Sequence, residues 1–144
     1  MCCTGSGSPK KNWPADRFVE LARRAAADGV LNVFYLLGEA DRGIAVSLAR
    51  IDPARPALKE ASLRQVASVL SACRLYIGND SGITHLAAAA GAPVVALFGP
   101  SDPSLWAPRS PRAHLVRSAQ PSAASLAEVS VDEVFAACRA VFAP

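Results

Sequence analysis

The segments Leu31–Leu37 and Ala92–Phe98 are short and almost wholly apolar, and a glycine closes each, Gly38 and Gly99. A strand with one wet face alternates polar and apolar side chains. A strand apolar on both faces needs cover above and below, the setting of a parallel sheet between layers of helices. The rest of the chain supplies that cover. Pro14 suits a first helical position, and Phe18, Leu21, Ala22 and Ala25 follow at helical spacing up to Asp28-Gly29. A second helix is expected over Ala40–Arg50, broken by Asp52-Pro53-Ala54-Arg55-Pro56. Ser62 reads as the N-cap of a helix over Leu63–Ala72, with Leu63, Val66, Ala67 and Leu70 on one face. A strand over Arg74–Ile77 then leads through a polar corner into a helix ending at Gly91. Residues 99–112 are turn-rich, His114–Arg117 is a short strand, 118–125 a loop, and Val131–Val141 a last helix. Residues 2–13 read as a Gly/Ser/Pro/Lys loop. The expected fold is α/β: a doubly wound, mostly parallel, Rossmann-like sheet with helices on both faces.

Such sheets bind ligands outside the carboxyl ends of their strands, near a reversal of strand order. Gly38, Gly78 and Gly99 mark strand carboxyl ends, so their loops should share one rim. The richest is Gly78-Asn79-Asp80-Ser81-Gly82, running directly into Ile83-Thr84-His85-Leu86-Ala87. A helix start presents unpaired N–H groups and a partial positive charge, which suits phosphate. Asp80 or Ser81 can cap the helix, Gly82 allows a tight turn and close ligand approach, and His85 lies one turn above Ser81. The plain structural alternative is a capped helix with a packed histidine.

A second constellation is Gly5-Ser6-Gly7-Ser8-Pro9-Lys10-Lys11-Asn12-Trp13-Pro14, whose small residues and lysines can meet phosphate but lack the P-loop spacing. Its alternative is a solvated linker. Glu39 and Asp41 follow a strand, where a carboxylate can accept from a ribose diol, though the helix dipole alone also favours acids there. In Phe98-Gly99-Pro100-Ser101-Asp102-Pro103 with Trp106, the indole is either a pocket wall or a hydrophobic cover.

Composition narrows the class. Of 144 residues 51% are apolar and 19% charged, with a net charge of +3, which suits one domain with a real core. No basic run with interleaved aromatics marks nucleic-acid binding. Cys2, Cys3, Cys73 and Cys138 lack metal-ligand spacing; Cys73 and Cys138 sit in Ala-rich helical context, and the chain reads as reduced and cytoplasmic. No stretch is long and apolar enough to span a bilayer, and no secretory leader is evident.

The Ser-Pro-Lys-Lys-Asn-Trp-Pro run, Leu36-Leu37-Gly38, Tyr76-Ile77-Gly78-Asn79-Asp80-Ser81-Gly82-Ile83-Thr84-His85 and Pro93–Pro103 with its Phe-Gly-Pro-Ser-Asp-Pro together resemble glycosyltransferase family 9. These are the bacterial ADP-heptose:lipopolysaccharide heptosyltransferases and their relatives. By motif the resemblance runs from residue 4 to about 108. It implies one Rossmann-like half of a two-domain GT-B glycosyltransferase: the carboxyl-terminal, donor-binding half over residues 1–144, with the amino-terminal acceptor half absent. A split gene, a truncated frame and an excised domain are the open explanations.

By resemblance, Lys11 meets donor phosphate with Ser6 or Ser8 assisting. Ser81 and Gly82 hold the diphosphate, Asp80 lies near sugar hydroxyls or phosphates, His85 supports the site, and Glu39 or Asp41 takes the ribose. Lys11, Asp80 and His85 are thus the catalytic candidates. The implied reaction is an inverting transfer from a nucleoside-diphosphate sugar, ADP-heptose, to a lipopolysaccharide-type acceptor, with no metal or other cofactor and with the base on the missing half. The implied location is the cytoplasm, with peripheral attachment to the inner face of the membrane. The implied partner is a chain carrying the amino-terminal half. A non-catalytic nucleotide-binding module or an inactive remnant is the alternative.

Overall fold

The computed structural model describes residues 2–4, 11–27, 32–118 and 126–142. Among them six strands form one sheet: β1 (Cys2–Thr4), β2 (Phe34–Leu37), β3 (Ala57–Lys59), β4 (Tyr76–Asn79), β5 (Val94–Phe98) and β6 (Ala113–Arg117). Their order is β3-β2-β1-β4-β5-β6, and every neighbouring pair is parallel. The helices are α1 (Ala15–Ala27), α2 (Arg42–Ile51), α3 (Leu63–Ser71), α4 (Gly82–Ala89), α5 (Pro103–Trp106) and α6 (Val131–Phe142). This is the doubly wound arrangement expected from the apolar strands.

The period of two along each strand sorts its side chains between two cores. Val95 and Leu97 of β5, with Ile77 of β4, pack against α1, α2 and α6. Val94, Ala96 and Phe98, with Tyr76, face α3 and α4. Both faces are therefore covered, which is why β4 and β5 are buried at every position. On the first face Trp13 is fully buried and meets Phe18 edge to face, with ring centroids 5.0 Å apart. Its indole N–H donates to the Val129 carbonyl at 2.8 Å, tying the entry of α1 to the segment before α6.

Three elements differ from the sequence reading. The expected loop over residues 2–13 contains the central strand β1, which pairs with β2 on one side and β4 on the other. Three residues with no apolar run carry no period to detect; what makes them a strand is pairing on both edges. β3, after the Pro-rich break, and α5, within the turn-rich 99–112 segment, are likewise short and set by context. Boundaries also move. β2 starts at Phe34, a 3-10 turn at Glu39–Asp41 precedes α2, and Cys73 follows α3 instead of lying in it. Cys138 is buried in α6 as expected. The Ser62 cap is present and reciprocal: Gln65 N–H donates to Ser62 Oγ, and Ser62 N–H donates to Gln65 Oε1 at 2.9 Å. Most of the 118–125 loop lies outside the described residues.

Gly78 stands inside β4 rather than beyond it, and the reason is steric. The ring of Tyr76, two residues back on the same face, lies directly over the position a Cβ would occupy. Tyr76 is fully buried and its hydroxyl is 3.2 Å from Thr84 Oγ1, so the ring has no room to swing away. Gly78→Ala is expected to destabilise the chain by about 1–3 kcal/mol through overpacking, read as a lower midpoint in thermal or urea unfolding.

Candidate functional site

Strand order reverses between β1 and β4, so the crevice outside their carboxyl ends is where a ligand is expected. Two segments meet there. One follows β1 and carries Lys11, Asn12 and Trp13 into α1. The other leaves β4 at Asn79 and turns through Asp80 and Ser81 into α4. Lys11 Nζ contacts Asp80 Oδ2 at 2.7 Å, joining residues 69 positions apart. The Asp80 side chain is 10% exposed and the Lys11 side chain 37%. The pair therefore sits at the lip of the crevice, with its cation the more accessible partner.

The corner itself is held from below. Thr84, buried, donates its hydroxyl to the Asn79 carbonyl, and its Oγ1 lies 3.2 Å from both Tyr76 OH and Ser81 Oγ. The Asp80 N–H donates to the Leu97 carbonyl at 3.1 Å, extending the β4–β5 ladder by one step. Ser81 is the N-cap of α4 by position, yet neither its side chain nor that of Asp80 caps the helix. Ser81 turns toward Thr84 and Asp80 toward Lys11. This corrects the expected side-chain cap. Among the described residues, the N–H groups of Gly82 and Ile83 in the first turn have no hydrogen-bond acceptor. Such groups at a helix start are donors available to an anion.

Gly82 also differs from expectation in one respect. Its φ is not positive, and a Cβ there would meet nothing within 4 Å, so the backbone does not require glycine. Open space over the first turn of α4 remains the feature of that position. His85 is exposed one turn further along, with its N–H reaching the Ser81 carbonyl at 3.4 Å.

Glu39 and Asp41 lie beyond β2, the next strand along the same rim, and the structure separates them. Asp41 is buried, and its Oδ2 accepts the Gly38 N–H at 2.8 Å, so this carboxylate closes its own turn. The Glu39 side chain is 95% exposed, 4.0 Å from Arg42. On the other side of the rim Asp102 caps α5, accepting the Ser104 N–H at 2.9 Å. That bond, with the Ser104 hydroxyl, holds its carboxyl below the usual range. Trp106 is 59% exposed, so it covers no core in this chain. Ser6 and Ser8 lie outside the described residues. No group of three or more His, Cys, Asp or Glu side chains among the described residues could hold a metal ion.

The sequence reading did not single out Asn12, Asn79 or Thr84 for this corner. For Asn79 a signal was present: it ends an apolar strand, and a buried polar side chain there must find partners.

A model of glycosyltransferase family 9 (heptosyltransferase) matches residues 1–134. The chain belongs to glycosyltransferase family 9. Lipopolysaccharide heptosyltransferase 2 of Salmonella typhimurium is 35% identical over 122 residues, covering 81% of this chain and 35% of that protein. The Escherichia coli protein of the same name matches equally, at 35% identity over 122 residues. This family 9 chain thus spans about a third of the length of the curated relatives it matches. Among solved structures, E. coli ADP-heptose LPS heptosyltransferase II superposes with a TM-score of 0.76 at 27% identity, over 97% of this chain and 46% of that one. A family 9 glycosyltransferase from Veillonella parvula gives a TM-score of 0.85 at 24% identity, over 98% and 45%. E. coli heptosyltransferase WaaC, solved with ADP, gives 0.81 at 23% identity. The fold is that of one Rossmann-like half of a GT-B glycosyltransferase.

Thr84→Val keeps the buried shape and removes the hydroxyl that holds the corner. It is expected to cost about 1–3 kcal/mol, since the Asn79 carbonyl loses its Thr84 donor, measured by thermal unfolding against the native chain.

Proposed function

We propose that this chain is the donor-binding half of a heptosyltransferase-like glycosyltransferase, holding a nucleoside-diphosphate sugar of the ADP-heptose type. The observation that carries this reading is the Lys11–Asp80 contact of 2.7 Å at the strand-order switch, beside the open first turn of α4. It is supported by membership of family 9 and by relatives named as lipopolysaccharide heptosyltransferases. In this reading the diphosphate sits against the backbone N–H groups of Ser81 and Gly82, with that of Ile83 beside them, Lys11 neutralising its charge and Ser6 or Ser8 assisting. Glu39, exposed beyond β2, takes the ribose, because the Asp41 carboxylate is already committed to Gly38.

Transfer is a displacement at the anomeric carbon with inversion. The acceptor oxygen forms the new bond as the bond to the diphosphate oxygen breaks, and negative charge gathers on the leaving group. Lys11 and the helix-start N–H groups are fixed where that charge develops, so they lower the barrier and not only the energy of the bound donor. His85 borders the same corner and supports the donor. A base on an amino-terminal half removes the acceptor proton, and the acceptor is a lipopolysaccharide-type glycan. No bound metal or other cofactor enters this scheme. The reaction belongs at the inner face of the cytoplasmic membrane, with the chain in the cytoplasm. In the described residues no helix is long and apolar enough to cross a bilayer.

Titration of ADP, UDP and GDP against the chain tests the site. ADP is expected to bind in the micromolar-to-millimolar range, and Lys11→Ala to weaken it by about 10- to 100-fold, the worth of a charge-assisted hydrogen bond. Absence of any nucleotide binding refutes the donor site. Binding without sugar transfer, even after addition of an amino-terminal half from a relative, would instead make the chain a nucleotide-binding module. Gly82→Ala separates site from scaffold. Its Cβ meets open space, so the unfolding midpoint should hold while ADP affinity drops several-fold, to about a tenth where the backbone approach is closest.

A further inference from the structure

We propose that Asn79 is a positioning residue that sets Lys11 at the crevice by welding the entry of α1 to the end of β4; this rests on the reading of Lys11 as a phosphate ligand. Asn79 is fully buried at the last position of β4. Its Oδ1 accepts the Trp13 backbone N–H at 3.3 Å, and its Nδ2 donates to Asn12 Oδ1 at 3.1 Å. Both partners lie within two residues of Lys11. The backbone of Asn79 faces the other segment: its carbonyl takes the Thr84 hydroxyl, and the next residue is Asp80. One side chain therefore joins the segment bearing the cation to the corner bearing its carboxylate partner.

The amide is suited to this because it offers an acceptor and a donor at once. An aspartate would keep the acceptor, lose the donor and add a second carboxylate beside Asp80. A leucine would leave the Trp13 N–H unpaired in a buried place. The consequence for binding is preorganisation. A lysine on an unanchored segment gives up segmental freedom when it meets phosphate, and an anchored one has already done so. The indole of Trp13, held by Val129, fixes the far side of the same segment.

The test is isothermal titration of ADP and of adenosine against the native chain, Lys11→Ala, Asn79→Ala, Asn12→Ala and the two double variants with Lys11→Ala, with unfolding midpoints alongside. Each asparagine variant is expected to weaken ADP about three- to tenfold while adenosine, which has no phosphate, stays within about twofold. In the Lys11→Ala background neither should weaken ADP further, because the group they position is gone. Full additivity with Lys11→Ala, or equal loss for ADP and adenosine, overturns the proposal and leaves Asn79 as scaffold only. Asn12 is part-exposed, so Asn12→Ala carries the test if Asn79→Ala does not fold. Unchanged ADP affinity in Lys11→Ala alone overturns the phosphate-ligand reading itself, and with it this inference; that outcome appears in the single variant, before any asparagine is changed.

Discussion

The pairing of β1 with both β2 and β4 is the constraint on which the rest of the structure depends. Through three residues, Cys2–Thr4, it joins β3-β2 to β4-β5-β6 in one sheet, and it creates the reversal of strand order. Chain leaving β1 must go one way over the sheet and chain leaving β4 the other. α1 and α4 therefore cover opposite faces of the sheet, and a crevice opens between their starts. Lys11 and the Asp80 corner stand at its lip because of that topology, not because of any attraction between them. The ion pair is a consequence of placement, and at 37% exposure of its lysine it is worth little as a stabiliser.

What could be read in the sequence followed how much of each signal is local. β2, β4 and β5 announce themselves because burial on both faces writes an apolar run of several residues. The Ser62 cap was legible because its partner Gln65 is three residues away. β1 was not, since a three-residue strand is specified by partners about 30 and 75 positions distant. The site divides along the same line. Asp80, Ser81 and Gly82 were found as a corner because strand, turn and helix are contiguous there. The amide weld of Asn79 to Asn12 and Trp13 spans 66 residues or more, and no spacing rule reports it. The difference between Glu39, exposed, and Asp41, bonded into its own turn, also needed coordinates, since both occupy a helix start.

Two glycines in one motif show how differently the same residue can be required. Gly78 answers to packing: the Tyr76 ring fills its Cβ position, and that ring is in turn held against Thr84 under the corner. Gly82 answers to nothing inside the chain. The spacing that makes the motif recognisable is thus a composite, part fold and part surface, and only the second part carries information about a ligand. Exposure of backbone at Gly82 with rigidity at Gly78 and Thr84 is what a site needs if it is to present N–H groups without moving them.

Electrostatics orders the roles of the ion pair within the proposed donor complex. A diphosphate seated at the first turn of α4 would bring negative charge close to the Asp80 carboxylate, and two like charges about 4 Å apart repel by several kcal/mol at an effective dielectric near 20. The repulsion is tolerable only if Lys11 stays between them, shared by both anions. Asp80 then keeps the ammonium on the phosphate side and offers its remaining oxygen to a neutral donor, for which sugar hydroxyls are suited and phosphate is not. Within that proposal Asp80 would serve the sugar, because its Oδ2 is taken up by Lys11. Asp80→Asn would then preserve much of the shape but release Lys11 to the phosphate alone. Nucleotide binding would tighten or hold while discrimination between sugars is lost.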